Sequence, residues 1–410
     1  MAALVVAIHD RLPWWKAREH PKTAGQLSGK QLYKLGLEQP FWNGKVALDK
    51  IKYDANNPGT LVISGRFIGC NPLEISVFGC IRETPDGAEK SQSLSSFSRP
   101  RDNGQMETAF SFEFQNAPVT AETLYCRIYG IQKGFKKPIP YALADFSFPN
   151  PLRLRVQPWK AEPLPATRII GPLTVELMGV NSGPPEAVQS TGYSKLSLRV
   201  FEKGVGTYQW RLIGIECSSV LGDSYYGFGS AIGTNDIKGT LWKCLAPWKI
   251  KVSLIRDADF RPGEIIEIRD IPIPAEGQAI SFNQKWEVAG QELKFVQIAK
   301  GEPQVRGWKR PMVKSSVTMH FTLPDQGYWS LKLLSVADAE GKVLWEPVEE
   351  FVVREKSNSR NVGLVFGPEM GPLPAKISCK FGVVWEKREA EFTVNPTYEG
   401  KPFRPKVEIQ

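Results

Sequence analysis

Along most of the chain, apolar and polar residues alternate one by one. The longest such run lies in Gly239–Gln278. Trp242, Cys244 and Ala246, then Trp248, Ile250, Val252 and Leu254, fall on one parity, while Lys249, Lys251 and Ser253 take the other. That period of two is the signature of a strand with one buried face. Asp257–Gly263 follows as a turn cluster ending in Pro262-Gly263, and a second strand is expected at Glu264–Arg269. Pro272 and Pro274 end regular pairing, because proline has no N–H for a ladder. The stretch predicts an antiparallel pair at the heart of a β-sandwich.

The same alternation places strands at Val46–Tyr53, Met106–Phe114 (with Phe110, Phe112 and Phe114 in step), Leu124–Ile128 and Tyr141–Phe148. Leu61–Cys70 and Leu73–Ile81 read as a hairpin about Asn71-Pro72. Further alternation marks Leu173–Leu177, Leu196–Val200, Tyr208–Cys217, two strands within Ala279–Ala299 about Ala289-Gly290, Val317–Leu323 and Tyr328–Val336. Ile377–Val383 is read as hairpinned through Glu386-Lys387-Arg388 to Ala390–Val394, and the polar tail Pro396–Gln410 as frayed. Short strands separated by turns predict an all-β chain, a sandwich or barrel rather than α/β; the reading taken is tandem antiparallel β-sandwiches, immunoglobulin-like by analogy at fold level alone. One short N-terminal helix is expected, since Ser28-Gly29-Lys30-Gln31 fits a capping box with Leu32 and Leu35 on one face and Pro40 beyond. The expected organisation is a segment 1–44, a sandwich 45–150, a proline-rich linker 151–166, a sandwich 167–302, and a region 303–410 that is either a third sandwich or the second half of the preceding one.

The N-terminal Ala2–Ile8 is apolar but far too short to span a bilayer, which takes about 20 residues. Trp14-Trp15 with Arg11, Lys16 and Arg18 follows. Two readings are open: the tail end of a membrane anchor whose start is missing, or an N-terminal strand or disordered lead, which is favoured. The net charge of +9 would suit an anionic partner, but Lys and Arg are scattered on strand parities, as on solvated outer faces. The basic cluster Lys133-Gly134-Phe135-Lys136-Lys137 reads as a loop, and nucleic acid is not expected as a partner.

Little in the chain points to catalysis. His9, His20 and His320 lie outside metal-ligand spacing of one another, and the six cysteines form no CxxC pair, so no metal and no cofactor are expected. Gly227–Gly233 superficially matches a phosphate loop but lacks its lysine and a following helix. Asp257, Asp259 and Glu264 could offer oxygens to calcium, with a plain acidic turn the favoured reading. Cys217 and Cys244 flank the glycine-rich loop 222–239; a bridge between them and buried free thiols are both open, with free thiols favoured. Cys70 and Cys80 should stand too far apart along their hairpin to bond. Within the glycine-rich loop, Asp223, Tyr225, Tyr226 and Phe228 form the candidate binding surface, because tyrosine supplies contact area at low entropy cost. The opposing reading folds those rings over a sheet edge.

The segments LWKCLAPWKIKVSLIRD and FRPGEIIEIRDIPIP, with the ending CKFGVVWEKREAEFTVNP, resemble uncharacterised bacterial proteins that carry an N-terminal anchor and tandem sandwiches. The resemblance implies an extracytoplasmic or membrane-anchored location, with the cytoplasm as alternative. It transfers no activity. The expected function is a non-enzymatic, multi-domain protein acting through its surfaces at the cell envelope, with a protein or glycan surface as partner. A carbohydrate-binding accessory module is the alternative, which Trp42, Trp159 and Trp308 in a row on a sheet face would favour. An enzyme of unrecognised type is third.

Overall fold

In the computed structural model, residues 31–54, 57–70, 75–84, 89–93, 96–97, 101–102, 106–114, 117–118, 120–132, 140–150, 153, 157–183, 193–207, 209–222, 224–227, 233–300, 317–345, 352–354, 361–366 and 374–398 are described. About three-quarters of them lie in strands, paired antiparallel with one exception, and the fold is all-β. The first ten are β1 (Gln31–Phe41), β2 (Gly44–Asp54), β3 (Asn57–Ile68), β4 (Ile75–Arg82), β5 (Glu89–Ser93), β6 (Ser96–Phe97), β7 (Arg101–Asp102), β8 (Met106–Phe114), β9 (Thr123–Gln132) and β10 (Pro140–Pro149). They make two sheets, β1-β2-β3-β8-β6 with β7 beside β8, and β10-β9-β4-β5. Phe67, Phe110, Phe112 and Phe114 pack ring against ring between the sheets, with Phe67 and Phe110 centroids 4.6 Å apart. Gly79 of β4 faces them closely: a Cβ there would lie 2.9 Å from the Phe112 ring.

The middle group is β11 (Ala166–Ile170), β12 (Leu173–Gly183), β13 (Tyr193–Glu202), β14 (Val205–Gly206), β15 (Trp210–Ser218), β16 (Ser224–Gly227), β17 (Thr234–Lys238) and β18 (Trp248–Arg256). After it come β19 (Ile265–Pro272), β20 (Ala279–Val288), β21 (Gln291–Lys300), β22 (Val317–Thr322), β23 (Ser330–Ala337), β24 (Val343–Trp345), β25 (Val352–Arg354), β26 (Asn361–Phe366) and β27 (Lys376–Val384), then β28 (Lys387–Val394) and β29 (Thr397–Tyr398).

The last two strands rejoin the middle group. Its sheet runs β11-β12-β13-β17-β16-β15-β18-β28, with β14 on β13 and β29 parallel to β12. The end strands of this sheet are bridged. Arg168 of β11 donates to the Glu391 carbonyl of β28 at 2.9 Å and lies over the Phe392 ring. The expected linker closes the same seam: Glu162 exchanges backbone and side-chain hydrogen bonds with Thr393 and accepts from Arg168. The strands between β18 and β28 build two further sheets, β19-β27-β23-β24 and β20-β21-β22-β26-β25. One core fills the space between them, with Phe295, Phe321 and Phe381 in contact. Contacts divide the chain into two units, one of residues 20–207, 212–253 and 389–410, the other of 1–19, 208–211 and 254–388.

Strand positions follow the alternation, but several expected pairings do not occur. The capping-box helix is overturned where it can be seen. Residues 31–41 form β1, because Tyr33, Leu35 and Leu37 alternate inward against β2 while Leu32 is 56% exposed. The anchor reading lies outside the described residues. β3 and β4 are not a hairpin: β3 pairs with β2 and β8, and β4 with β9 and β5, in the opposite sheet. β18 and β19 likewise belong to different sheets, as do β27 and β28. Residues 265–300, expected with the preceding sandwich, instead pair with strands of 317–384. The glycine-rich loop 222–239 contains β16 and β17, and β29 lies within the expected frayed tail.

Trp248 is fully buried, donates its indole N–H to the Trp242 carbonyl at 3.0 Å, and lies 5.7 Å from the Tyr225 ring. Trp248→Ala should therefore cost about 3–5 kcal/mol, read as a lowered midpoint in urea unfolding. A midpoint equal to wild type would place the ring outside the core.

Candidate functional site

The stretch after β18 looked like a plain acidic turn; it is built around a buried cation. Arg256 ends β18 where the burial pattern changes from alternating to continuous, and its side chain is only 6% exposed. A guanidinium cannot lose its charge, so burying it requires carboxylates and good geometry. Two carboxylates meet it. Its Nε donates to Glu386 Oε2 at 3.0 Å, one terminal nitrogen donates to Glu264 Oε1, and the other donates to the Asp259 carbonyl at 3.1 Å.

Local sequence holds each partner in place. Pro262 opens a short 3-10 turn, Pro262–Glu264, whose last residue turns back to accept from the Arg261 amide at 2.8 Å. Phe260 anchors the preceding residues on Gly382 of β27, where a Cβ would lie 2.4 Å from the ring. Glu386 lies between β27 and β28, and its other oxygen accepts from Arg388 at 2.9 Å. Trp385 donates its indole N–H to Glu264 at 3.1 Å and stacks on Trp329, ring centroids 6.2 Å apart. Trp329 is fixed in turn by donation to the Gln326 carbonyl at 2.7 Å, beside Gly327 at φ +85°.

Above this network lies an open cleft of about 490 Å³, lined by Gly327, Tyr328, Trp385, Glu386, Lys387 and Arg388. Tyr328 and Trp385 are half-buried and Lys387 is exposed. Arg256, Arg261 and Arg388 all face the carboxylates of Glu264 and Glu386. Burial alone would raise the Glu264 carboxyl, but hydrogen bonds from Arg256 and the Arg261 amide outweigh it and hold Glu264 below the ordinary carboxylate value. The cleft floor is thus a pair of carboxylates, each met by several donors, beneath an aromatic wall.

The candidate binding residues read from the sequence lie elsewhere. Asp223 and Phe228 fall outside the described residues. Tyr225 and Tyr226 belong to β16, a strand and not a loop. Tyr225 is 6% exposed, packed on Trp248 and over Gly239, whose φ of +145° and lack of a Cβ let the ring approach. It is a core residue, which corrects its place in a contact surface. The oxygens weighed for calcium face cations and donors instead: Asp257 pairs with Arg211 at 2.8 Å, Asp259 accepts from Gln209 at 2.6 Å, and Glu264 holds Arg256. No group of metal-ligating side chains occurs among the described residues. All six cysteines are free thiols, so the Cys217–Cys244 bridge is absent. Cys70 and Cys80 flank no common turn, since the hairpin assumed for them does not form. Trp159 lies under the Lys249 ammonium at 4.7 Å and Trp42 occupies the β1–β2 turn at φ +54°; Trp308 is outside the described residues, as is the Lys133–Lys137 cluster.

Truncating Arg256 strands two buried carboxylates, which typically costs about 3–5 kcal/mol. Arg256→Ala should therefore lower the thermal midpoint of residues 254–388 sharply, while Arg269→Ala, an exposed pair on β19, should change little. Because the folded-state pKa of Glu264 is depressed, its contribution is present above the ordinary carboxylate value of 4.5 and lost as pH falls through the lower folded value. Glu264→Gln should flatten that part of the acid-unfolding profile. An unchanged acid limb would remove Glu264 from the account.

Comparisons with known proteins identify no relative for this arrangement. No family model matches the chain, and no curated protein does. One solved structure, the crystal structure of the conserved domain protein from Bacillus anthracis, aligns with 58% of this chain and 81% of its own at 10% identity, with a TM-score of 0.20. Among the described residues no helix is long and apolar enough to cross a membrane.

Proposed function

We propose that this chain is a multi-domain β-sandwich protein, of immunoglobulin-like type, that acts through its surfaces, and that the Trp385 cleft binds an acidic segment of a partner protein. The observation that carries the reading is the pairing of an aromatic wall, Trp385 and Tyr328, with two basic side chains, Lys387 and Arg388, in one cleft. Aromatic and arginine side chains dominate binding energy at protein contacts, and a cationic rim steers acidic partners. Glu264 supports binding over acid–base work: a general acid at neutral pH needs a raised pKa, and this one is lowered. The cell-envelope location implied by the resemblance remains part of the proposal.

Carbohydrate binding is a second reading, favoured by the half-buried Trp385 beside Tyr328, whose rings could stack on a sugar face. Trp385 fluorescence separates the two. Titration with a glutamate-rich peptide should saturate, weaken with added salt, and lose about tenfold in affinity, or about 1.4 kcal/mol, in Lys387→Glu. Saturation by a neutral oligosaccharide, unchanged in Lys387→Glu, would establish the second reading. No response to either ligand would defeat both.

A further inference from the structure

Glu83, just past β4, reaches out of the first sandwich and onto the middle sheet. Its two oxygens accept from the backbone amides of Lys243 and of Cys244, the latter at 2.8 Å, at the start of the short 3-10 turn Lys243–Leu245. The Cys244 thiol donates to the same carboxylate. Thr120, in the turn before β9, donates its hydroxyl to the Cys244 carbonyl at 3.0 Å. Two separate segments of the first sandwich therefore grip one turn of the middle sheet. These segments all lie within one unit of the chain.

The contrast with Glu264 is chemical. Glu264 has a guanidinium in contact; Glu83 has no ion-pair partner among the described residues and is met only by uncharged donors. The groups facing it are the Lys243 and Cys244 amides and the Cys244 thiol from the 3-10 turn, and Tyr398 from β29. The Lys243 charge favours the ionised form of Glu83, and Arg82, the residue before Glu83 at the end of β4, is committed to Asp145 at 3.2 Å. The Tyr398 hydroxyl is buried without a hydrogen-bond partner. We propose that docking of the first sandwich on the middle sheet is proton-linked through Glu83, and that the contact tightens as the medium acidifies.

The direction follows from the surroundings. Burial raises the Glu83 carboxyl and outweighs the hydrogen bonds from Cys244 and Lys243 that favour the charged form. Undocking returns the group to water and its ordinary value. The docked state thus binds the proton more tightly, so docking is strengthened as pH falls through the raised docked value and loses that gain above it. Burial also raises the Cys244 thiol and the Tyr398 hydroxyl, with the Glu83 charge adding to both, so neither titrates in a mildly acidic range.

The Lys243 and Cys244 amides report on the contact directly. Their hydrogen-exchange protection factors, measured on the full chain between pH 8 and pH 5, should rise on acidification by up to about tenfold per pH unit, the ceiling for one proton. Val252, buried on β18, serves as the control for changes in the fold as a whole. Glu83→Gln keeps one acceptor without a charge that titrates, so one of the two amides should remain protected, with a flat profile. Glu83→Ala should lower protection at both amides at every pH. Protection in the wild type that is flat or falls on acidification would overturn the proposal, and so would a Glu83→Gln variant that keeps the wild-type slope.

Discussion

A charge that cannot be neutralised, buried among β-strands, sets the terms for the structure around it. Arg256 is held by Glu264 and Glu386, residues brought from a 3-10 turn and from the segment between β27 and β28. Each carboxylate has further donors of its own: the Arg261 amide and the Trp385 indole on one, Arg388 on the other. Removing any member leaves charge buried without compensation, so the turn at Arg261–Glu264, the stacking of Trp385 on Trp329 and the wall of the cleft are fixed together. Burial alone pulls the Arg256 guanidinium down; hydrogen bonds to the two glutamates more than reverse it.

Glu83 and Glu264 show how the same side chain takes opposite characters in one chain. Glu264 is buried and Glu83 half-buried, and both accept backbone amides. A guanidinium beside Glu264 keeps it ionised, whereas uncharged donors around Glu83 let desolvation prevail. The first is a fixed part of a scaffold. The second is a contact whose strength depends on its proton, placed where the first sandwich meets the middle sheet within one unit.

The strands were legible because burial on one face of a sheet imposes a period of two whatever the partner strand. Met106–Phe114 and the Ala289-Gly290 turn, with φ of +50° and +74°, are where alternation and turn chemistry place them. Pairing was not legible, because it is decided by residues far away in the chain. β18 finds β15 and β28 in place of its neighbour β19, and β28 returns across the whole span of β19–β27. Tertiary pairing also overrode the helix expected at Leu32 and Leu35, since Tyr33, Leu35 and Leu37 point inward from a strand. The site was hidden for a related reason. Trp385-Glu386-Lys387-Arg388 reads as an ordinary polar turn until Arg256 is seen against it. The available signal was a charged residue closing an apolar run at Leu254-Ile255-Arg256, where all three positions are buried. Conversely, Tyr225 drew attention as a loop tyrosine when Gly239, missing its side chain, had made room for it in the core.

Whether the buried network acts as one unit is the point on which the account of the cleft turns. A double-mutant cycle on Arg256→Leu and Glu264→Leu, read by urea unfolding of the full chain, addresses it most directly. Arg256→Leu takes the guanidinium from Glu264, Glu264→Leu leaves Arg256 with Glu386 alone, and the double change removes both members of that pair while Glu386 keeps Arg388 and Arg261, so the two should be strongly non-additive, with a coupling of about 2–3 kcal/mol. Additive single effects, with coupling within about 0.5 kcal/mol, would contradict the account and leave the cleft without its floor.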